Sequence, residues 1–180
     1  MKATGIVRRI DDLGRVVVPK EIRRTLRIRE GDPLEIFTDR EGEIILKKYS
    51  PIGELGQFAG QYAEALASTS GCLVCITDRD HVIAAAGSGK REFDGKPLSK
   101  QLETVIEDRE SFVAARDEKQ YVKVTLDDKE EHEGQAVCTV ISEGDAIGSV
   151  VLYQKEAKPT EAELKLAQVA AGFLGRQMEQ

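Results

Sequence analysis

The residues of this chain that could do chemistry are basic, and they are concentrated near its N-terminus. Residues 1–29 contain 9 Lys and Arg against 3 Asp and Glu, although the whole chain has a net charge of −6. Guanidinium groups pair with phosphate oxygens and with guanine edges in a fork geometry that lysine cannot reproduce. This charge pattern favours nucleic-acid binding, with a protein-binding module as the main alternative. The basic residues that could share one surface are Arg8, Arg9, Arg15, Lys20, Arg23, Arg24 and Arg27.

Short β-rich and helical segments would position these arginines. A turn at 11–14 separates two β-rich segments, and Pro19 suits the start of a helix that carries Arg23 and Arg24 on its exposed side. A domain of about fifty residues buries a limited share of its surface, so we expect it to oligomerise. The sequence predicts strands at 4–10 and 15–18, a helix at 20–26, and strands at 34–38 and 43–49.

The rest of the chain predicts an α+β domain made of an antiparallel sheet with helices before, within and after it. Ser50 is the expected N-cap of the first helix, and Thr160 and Glu163 have the spacing of a capping box at the last one. The predicted strands are 72–77, 81–87, 119–126, 135–142 and 146–154, and the predicted helices begin at 51, 97 and 159. The expected domains are 1–50 and 56–180, with 51–55 as a linker and helix start.

Several patterns that could indicate catalysis fail on inspection. The stretch at 84–91 lacks Gly at Ala84 and Ser or Thr at Arg91, which a phosphate-binding loop requires. His81 and His132 lie in predicted loops without a third metal ligand, so we expect both to be solvated. The acidic loop at 126–134 is also expected to be solvated. We therefore predict no enzymatic activity, no catalytic residues and no metal site.

The three cysteines favour buried, unreactive thiols over a redox sensor, which would need an exposed thiol of low pKa. Cys72 and Cys75 lie three residues apart in a predicted strand, so they should point to opposite faces of the sheet. No apolar run approaches the length of a membrane span, and the N-terminus lacks the apolar core of a signal peptide. A cytoplasmic protein without membrane association is expected.

The N-terminal segment resembles a known family. "GIVRRIDDLGRVVVPKEIRRTLRIREGDPLEIF" followed by "ILKKY" is similar to the AbrB-type DNA-binding domain of bacterial transition-state regulators. The resemblance implies a swapped-hairpin β-barrel in which two chains interleave their strands into one dimer. It also implies that Arg8, Arg15, Arg23 and Arg24 contact double-stranded DNA, with Arg9 at a position where a basic residue is usual.

The C-terminal domain resembles a GAF domain, a class of small-molecule sensor. A sensor of this class could take an unknown small-molecule effector, and we expect no cofactor, because a GAF fold does not imply one. The resemblance also implies that the terminal helices of two such domains pack together, so that two dimers join as a tetramer.

The whole chain, through the ending "AAGFLGRQMEQ", resembles a family of sporulation regulators of endospore-forming bacteria. This resemblance implies a sequence-preferring transcription regulator, both activator and repressor, of sporulation genes. It also implies a protein of the cytoplasm, associated with the nucleoid of the developing forespore. The alternative is an interaction module of the antitoxin type, which shares the swapped-hairpin fold and would bind a protein partner through the same basic surface. A folded domain in place of a disordered tail counts against that alternative.

Overall fold

The computed structural model describes residues 5–129 and 131–179, and the chain divides into two units between Tyr49 and Ser50. We refer to Met1–Tyr49 as the N-terminal unit and to Ser50–Gln180 as the C-terminal unit.

One short helix and one hairpin form the regular structure of residues 5–49. Helix α1 spans Lys20–Thr25, and strands β1 (Leu34–Thr38) and β2 (Ile44–Lys48) pair antiparallel. The predictions of a helix and two strands in these places are confirmed. The predicted strands at 4–10 and 15–18 do not form in this chain: residues 5–10 and 15–18 have no sheet partner, and Thr4 lies outside the described residues. A strand needs a second strand to pair its backbone groups, and the single chain supplies none here.

The N-terminal unit leaves its apolar side chains exposed. None of the large apolar side chains in residues 5–49 belongs to the buried core, and 11 of them are largely exposed. Val7 is 89% exposed and Val17 is 68% exposed. The others are Ile6, Ile10, Leu13, Val16, Leu26, Ile36, Phe37, Ile44 and Leu46.

The C-terminal unit contains a five-stranded antiparallel sheet whose spatial order is β4-β3-β7-β6-β5. Two hairpins, β3–β4 and β6–β7, account for most of the sheet, and β3 and β7 join them at its centre. The strand ranges are Leu73–Thr77 (β3), Val82–Ala86 (β4), Ser111–Ala115 (β5), Gly134–Ser142 (β6) and Asp145–Gln154 (β7). Side chains therefore alternate between two covered faces.

Helices cover both faces of this sheet. The long helices α3 (Gly56–Ser70) and α5 (Glu161–Gln177) pack on one face, and α4 (Lys100–Glu107) packs on the other. A single turn, α2 (Pro51–Glu54), precedes α3, and the Ser50 hydroxyl caps it by accepting a hydrogen bond from the Gly53 amide. The predicted Ser50 cap is confirmed. Within residues 5–129 and 131–179, no helix is long and apolar enough to cross a membrane.

The strand predicted at 119–126 is wrong. Its backbone bonds to the start of α4 instead of a strand: Ser99 N donates to Val124 O, and Lys123 N donates to the Gln101 Oε1 atom. The alternating apolar residues of this segment, among them Tyr121 and Val124, cover the α4 side of the sheet. The edge position is taken by β5, which the sequence analysis missed.

The cysteines are buried on opposite faces of the sheet. Cys72 packs among the residues under α3 and α5, whereas Cys75 packs on the α4 side. Burial raises the pKa values of Cys72, Cys75 and Cys138, so none is an activated thiolate. The prediction of buried thiols on opposite faces is confirmed.

The predicted capping box of α5 is confirmed and is testable. Thr160 Oγ1 accepts from the Ala162 amide, and Glu163 Oε2 accepts from the Thr160 amide at 2.7 Å. Thr160→Ala should lower the free energy of unfolding of the C-terminal unit by about 1 kcal/mol, because the first turn loses its cap. The loss can be measured by urea denaturation followed by tyrosine fluorescence, since three of the four tyrosines lie in this unit.

Thr104→Ala is the matched control, because the Thr104 hydroxyl bonds only the Lys100 carbonyl of its own helix. The Thr160 hydroxyl lowers the pKa of Glu163, so the Glu163 contribution is present above the ordinary carboxyl pKa and is lost as the pH falls below it. An equal loss of stability in the Thr104 and Thr160 variants would refute the capping role.

Candidate nucleic-acid interface

The candidate arginines lie on three local structures of the N-terminal unit. Arg8 and Arg9 lie on segment 5–10, which has no regular structure, Arg15 closes a tight turn, and Arg23 and Arg24 lie on α1. All five side chains are exposed. Arg8, Arg9, Arg23 and Arg24 form no ion pair with another described residue, so their guanidinium groups are available to an anionic partner.

Asp11 organises the turn that presents Arg15. Asp11 Oδ1 accepts hydrogen bonds from the amides of Leu13 and Arg15, and Asp11 Oδ2 accepts from Arg15 Nε at 2.8 Å. The Asp11 and Arg15 backbones also bond across the turn, which Gly14 completes with φ 75°. These bonds to Arg15 and Leu13 lower the pKa of Asp11. The salt bridge uses Nε, and the Arg15 side chain stays 70% exposed.

This role of Asp11 was not predicted from the sequence. The signal was present in the order Asp-Asp-Leu-Gly-Arg, because an Asp before a Gly-containing turn commonly bonds the amides two and four residues later.

The short helix α1 begins at a buried proline and ends in an anchored loop. Pro19 precedes its first residue, and Ile22 is half-buried on the inner side. Past the helix, Arg27 adopts φ 54°, and Lys48 Nζ donates to its carbonyl at 2.9 Å. Arg23 and Arg24 therefore sit on a helix whose exit loop is tied to β2.

Lys48 anchors that loop through a second contact. It forms a salt bridge of 2.9 Å with Asp32, whose side chain is only 2% exposed. Asp32 Oδ2 also accepts the Arg29 amide. Because both ends of the 27–32 loop meet this pair, a buried ion pair supports the position of α1. This contact of Lys48 was not predicted from the sequence.

One further acidic cluster lies in the β1–β2 turn. The carboxylates of Asp39, Glu41 and Glu43 lie within 4.8 Å of one another, and Asp39 Oδ1 accepts the amides of the other two. Asp39 thus shapes the turn.

Both halves of the chain match families of known proteins. The model for the stage V sporulation protein T C-terminal domain, a transcription factor, matches residues 54–179. A second family model, described as antidote-toxin recognition MazE, a bacterial antitoxin, matches residues 7–54.

Individual relatives agree with these matches. The chain is 56% identical to stage V sporulation protein T of Bacillus subtilis (strain 168) over 180 residues, which is the full length of both proteins. Over 51 residues, 28% of this chain and 52% of the relative, it is 67% identical to the transition state regulatory protein AbrB of the same organism. The resemblance of the N-terminal segment to AbrB is confirmed.

A solved structure shares the fold of the C-terminal unit. The cofactor binding GAF domain of the nutrient sensor CodY from Clostridium difficile superposes with a TM-score of 0.54 at 12% identity, covering 88% of this chain and 94% of that one. At this identity the likeness concerns the fold alone. The predicted GAF-like fold is confirmed.

The Asp11 turn is testable by hydrogen exchange. In Asp11→Ala, the amides of Leu13 and Arg15 should exchange faster, because both lose their carboxylate acceptor. The effect is measurable by NMR on the full chain at neutral pH. In the unmodified chain the same protection should be present at neutral pH and disappear only below the ordinary aspartate range, because the folded pKa of Asp11 is lowered.

Asp12→Ala is the matched control. Asp12 is the exposed neighbour of Asp11 and forms no hydrogen bond with another described residue. Unchanged exchange at Leu13 and Arg15 in the Asp11 variant, or an equal change in the Asp12 variant, would contradict the assigned role.

Proposed function

The chain belongs to the stage V sporulation protein T family of transcription factors, and we propose that it regulates sporulation genes as a homo-oligomer that binds double-stranded DNA. The observation that carries the proposal is a set of exposed guanidinium groups on a unit that is 67% identical to AbrB. Activation and repression of different genes would follow from where the sites lie in each promoter. We propose a cytoplasmic, nucleoid-associated protein of the forespore.

The five arginines differ in how firmly the structure of the single chain holds them. Arg15 is oriented by Asp11, and Arg23 and Arg24 are carried by an anchored helix, so these three suit a defined geometry. Arg8 and Arg9 lie on a segment without regular structure in the single chain. We propose that the supported arginines provide base and phosphate contacts with sequence preference, and that Arg8 and Arg9 join them once the dimer orders that segment.

Dimerisation through the N-terminal unit is supported by its exposed apolar residues. Val7, Val16 and Val17 are among the β-forming residues that lack both burial and a strand partner. Pairing with the same segments of a second chain would satisfy both needs at once, as in a swapped-hairpin barrel. A symmetric dimer also doubles the basic surface and can match two DNA half-sites.

A second self-contact is proposed for the outer side of α3 and α5. Tyr62 stacks on Phe173 at 5.5 Å, and Phe58 lies 5.8 Å from the same ring. Phe173 remains 39% exposed and Val169 66% exposed, although the opposite sides of both helices are buried against the sheet. Packing of this aromatic face against its copy would join two dimers as a tetramer.

The C-terminal unit is proposed to act as a sensor without catalytic activity. The full-length relative belongs to a family of transcription factors, and the GAF fold is also used by the sensor CodY. The fold alone does not establish that a ligand binds, so the proposal of a small-molecule effector depends on the pocket of this unit.

The antitoxin alternative is weaker. Its support is the MazE match at residues 7–54. The remaining chain matches a transcription factor family over residues 54–179 rather than a toxin-binding tail. The two functions also differ in a measurable way, because a protein partner would bind this basic surface in the absence of DNA.

Removing two helix arginines should weaken DNA binding. In Arg23→Ala/Arg24→Ala, affinity for a double-stranded promoter fragment should fall, and the slope of log affinity against log salt should become shallower by roughly 2 to 4 per dimer, because each phosphate contact contributes about 1. Fluorescence anisotropy across a salt series measures both quantities.

Lys90→Ala/Arg91→Ala is the matched control, because it removes two adjacent exposed basic residues from the C-terminal unit. The control should retain the affinity and slope of the unmodified chain. If the properly folded Arg23/Arg24 variant also retained them, the helix would not be the DNA contact and a protein partner would become the better explanation.

Charge on the aromatic face should separate tetramers into dimers. Val169→Glu places a carboxylate beside Phe173 and should reduce the mass in sedimentation velocity from four chains to two. DNA affinity should fall as well, because linked dimers bind with a high effective concentration. Leu126→Glu, at a 56% exposed position outside both helices, is the control and should remain tetrameric. A Val169→Glu tetramer would place the second contact elsewhere.

A further inference from the structure

A pocket of about 220 Å³ opens on the α4 side of the C-terminal unit. Three chain segments line it: the short turn after β4, the loop before β6 and the residues that follow β7. The size suits a small metabolite and is below the usual range for drug-sized ligands. Its charged and aromatic lining residues are Glu92, Phe93, Asp128, Lys129, Glu131, His132 and Lys155, so three carboxylates face two ammonium groups.

Aromatic rings form one wall of this pocket. His132 stacks on Tyr153 with ring centroids 4.5 Å apart, and Phe93 lies 5.4 Å from Tyr153 and 6.1 Å from His132. Tyr153 is 1% exposed, and its hydroxyl donates to Asp128 Oδ2 at 2.5 Å. The hydrogen bond to Asp128 therefore holds the Tyr153 ring in place, and Phe93 and His132, which pack near this ring, line the pocket.

The loop that supplies His132 and Asp128 is not the solvated loop expected from the sequence. Asp128 is only 6% exposed, and His132 is half-buried, with an Nδ1 atom that has no partner among the described residues. His81, by contrast, is exposed as predicted. A buried imidazole nitrogen without a hydrogen bond is unusual in a folded protein, and a bound molecule that supplies the hydrogen bond would explain it.

The charges around this imidazole are predominantly negative. The carboxylates of Asp128, Glu131 and Glu92 place negative charge near His132, and the Lys155 ammonium places positive charge near it. Glu92 is also paired with Lys129 at 3.5 Å across the rim. Burial lowers the pKa of His132 and keeps the ring neutral at pH 7, although the neighbouring carboxylates oppose that effect. An acidic pocket with an aromatic wall attracts cations.

The arrangement favours an organic cation over a metal ion. Among residues 5–129 and 131–179, the trio of carboxylate, imidazole or thiol groups whose ligand atoms converge is Asp39, Glu41 and Glu43 in the N-terminal unit. The acidic groups of the pocket do not converge in this way. Negative charge spread along a wall that includes aromatic rings is complementary to a larger cation with apolar surface.

We propose that this pocket binds a small organic ammonium compound, with the charged head against Phe93 and His132 and the carboxylates of Asp128 and Glu131 supplying the opposite charge. This proposal rests on the sensor role of the C-terminal unit and is independent of DNA binding by the N-terminal unit. Lys155 at the rim disfavours a second positive group and tolerates a neutral or anionic tail.

Calorimetric titration of the full chain tests the ligand class. The probes are 2-phenylethylammonium, 2-phenylethanol and phenylacetate, which have similar shapes but carry positive, zero and negative charge. The ammonium probe should bind at millimolar concentration or below, and the other two should bind more weakly. Phenylacetate binding as tightly as the ammonium compound, or no binding of any probe, would overturn the proposal.

Variants of exposed charges locate the site. Glu131→Gln should weaken binding of the ammonium probe by roughly two- to fivefold, the range for an exposed charge, and Lys155→Gln should strengthen it by a similar factor. Asp145→Asn removes an exposed carboxylate from the first residue of β7, outside the pocket, and should have no effect. Equal effects of the Glu131 and Asp145 variants would overturn the location.

The DNA titration of the same preparation without probe is a separate measurement. A chain that binds the ammonium probe but not DNA would refute the regulator role and leave the pocket assignment standing. A chain that binds DNA but no ammonium probe would refute the ligand class and leave the regulator role standing.

Discussion

The inability of residues 5–49 to bury their own apolar side chains is the constraint on which the function of this protein depends. Within a single chain, no large apolar side chain in this range reaches the buried core, and two β-rich segments have no strand partner. The same segments carry Arg8, Arg9 and Arg15. We infer that pairing of the chains also orders Arg8 and Arg9, so that dimer formation would complete the surface to which Arg15, Arg23 and Arg24 already contribute in the single chain.

The C-terminal unit, by contrast, buries its apolar core within one chain. Its sheet is covered on both faces within one chain, by α3 and α5 on one side and by α4 with the 119–129 segment on the other. A self-sufficient core allows the remaining surfaces to be specialised. The outer aromatic face of α3 and α5 is suited to a second self-contact, and the pocket around His132 is suited to a ligand.

Much of the fold and of the candidate interface could be predicted because the signals are local. Pro19, the Ser50 cap, and the Thr160–Glu163 box each mark a helix start through bonds within four residues. The type and order of the arginines likewise indicated an anion-binding surface. Their support could not be predicted, because the Lys48–Asp32 ion pair joins residues from different elements. The contacts of the five arginines with DNA stay a prediction, and the turn-forming role of Asp11 was not predicted from the sequence.

By itself, the sequence determined the element types with strong local patterns, the opposite faces of Cys72 and Cys75, and the families to which both halves are similar. Only the tertiary structure decided that the β-like segment at 119–126 bonds to the start of α4 and that β5 forms the sheet edge. The burial of Asp128 and the half-burial of His132 were likewise decided by the tertiary structure. The physical reason is that alternation and charge report what a residue prefers, whereas burial and pairing depend on which distant segments compete for the same surface.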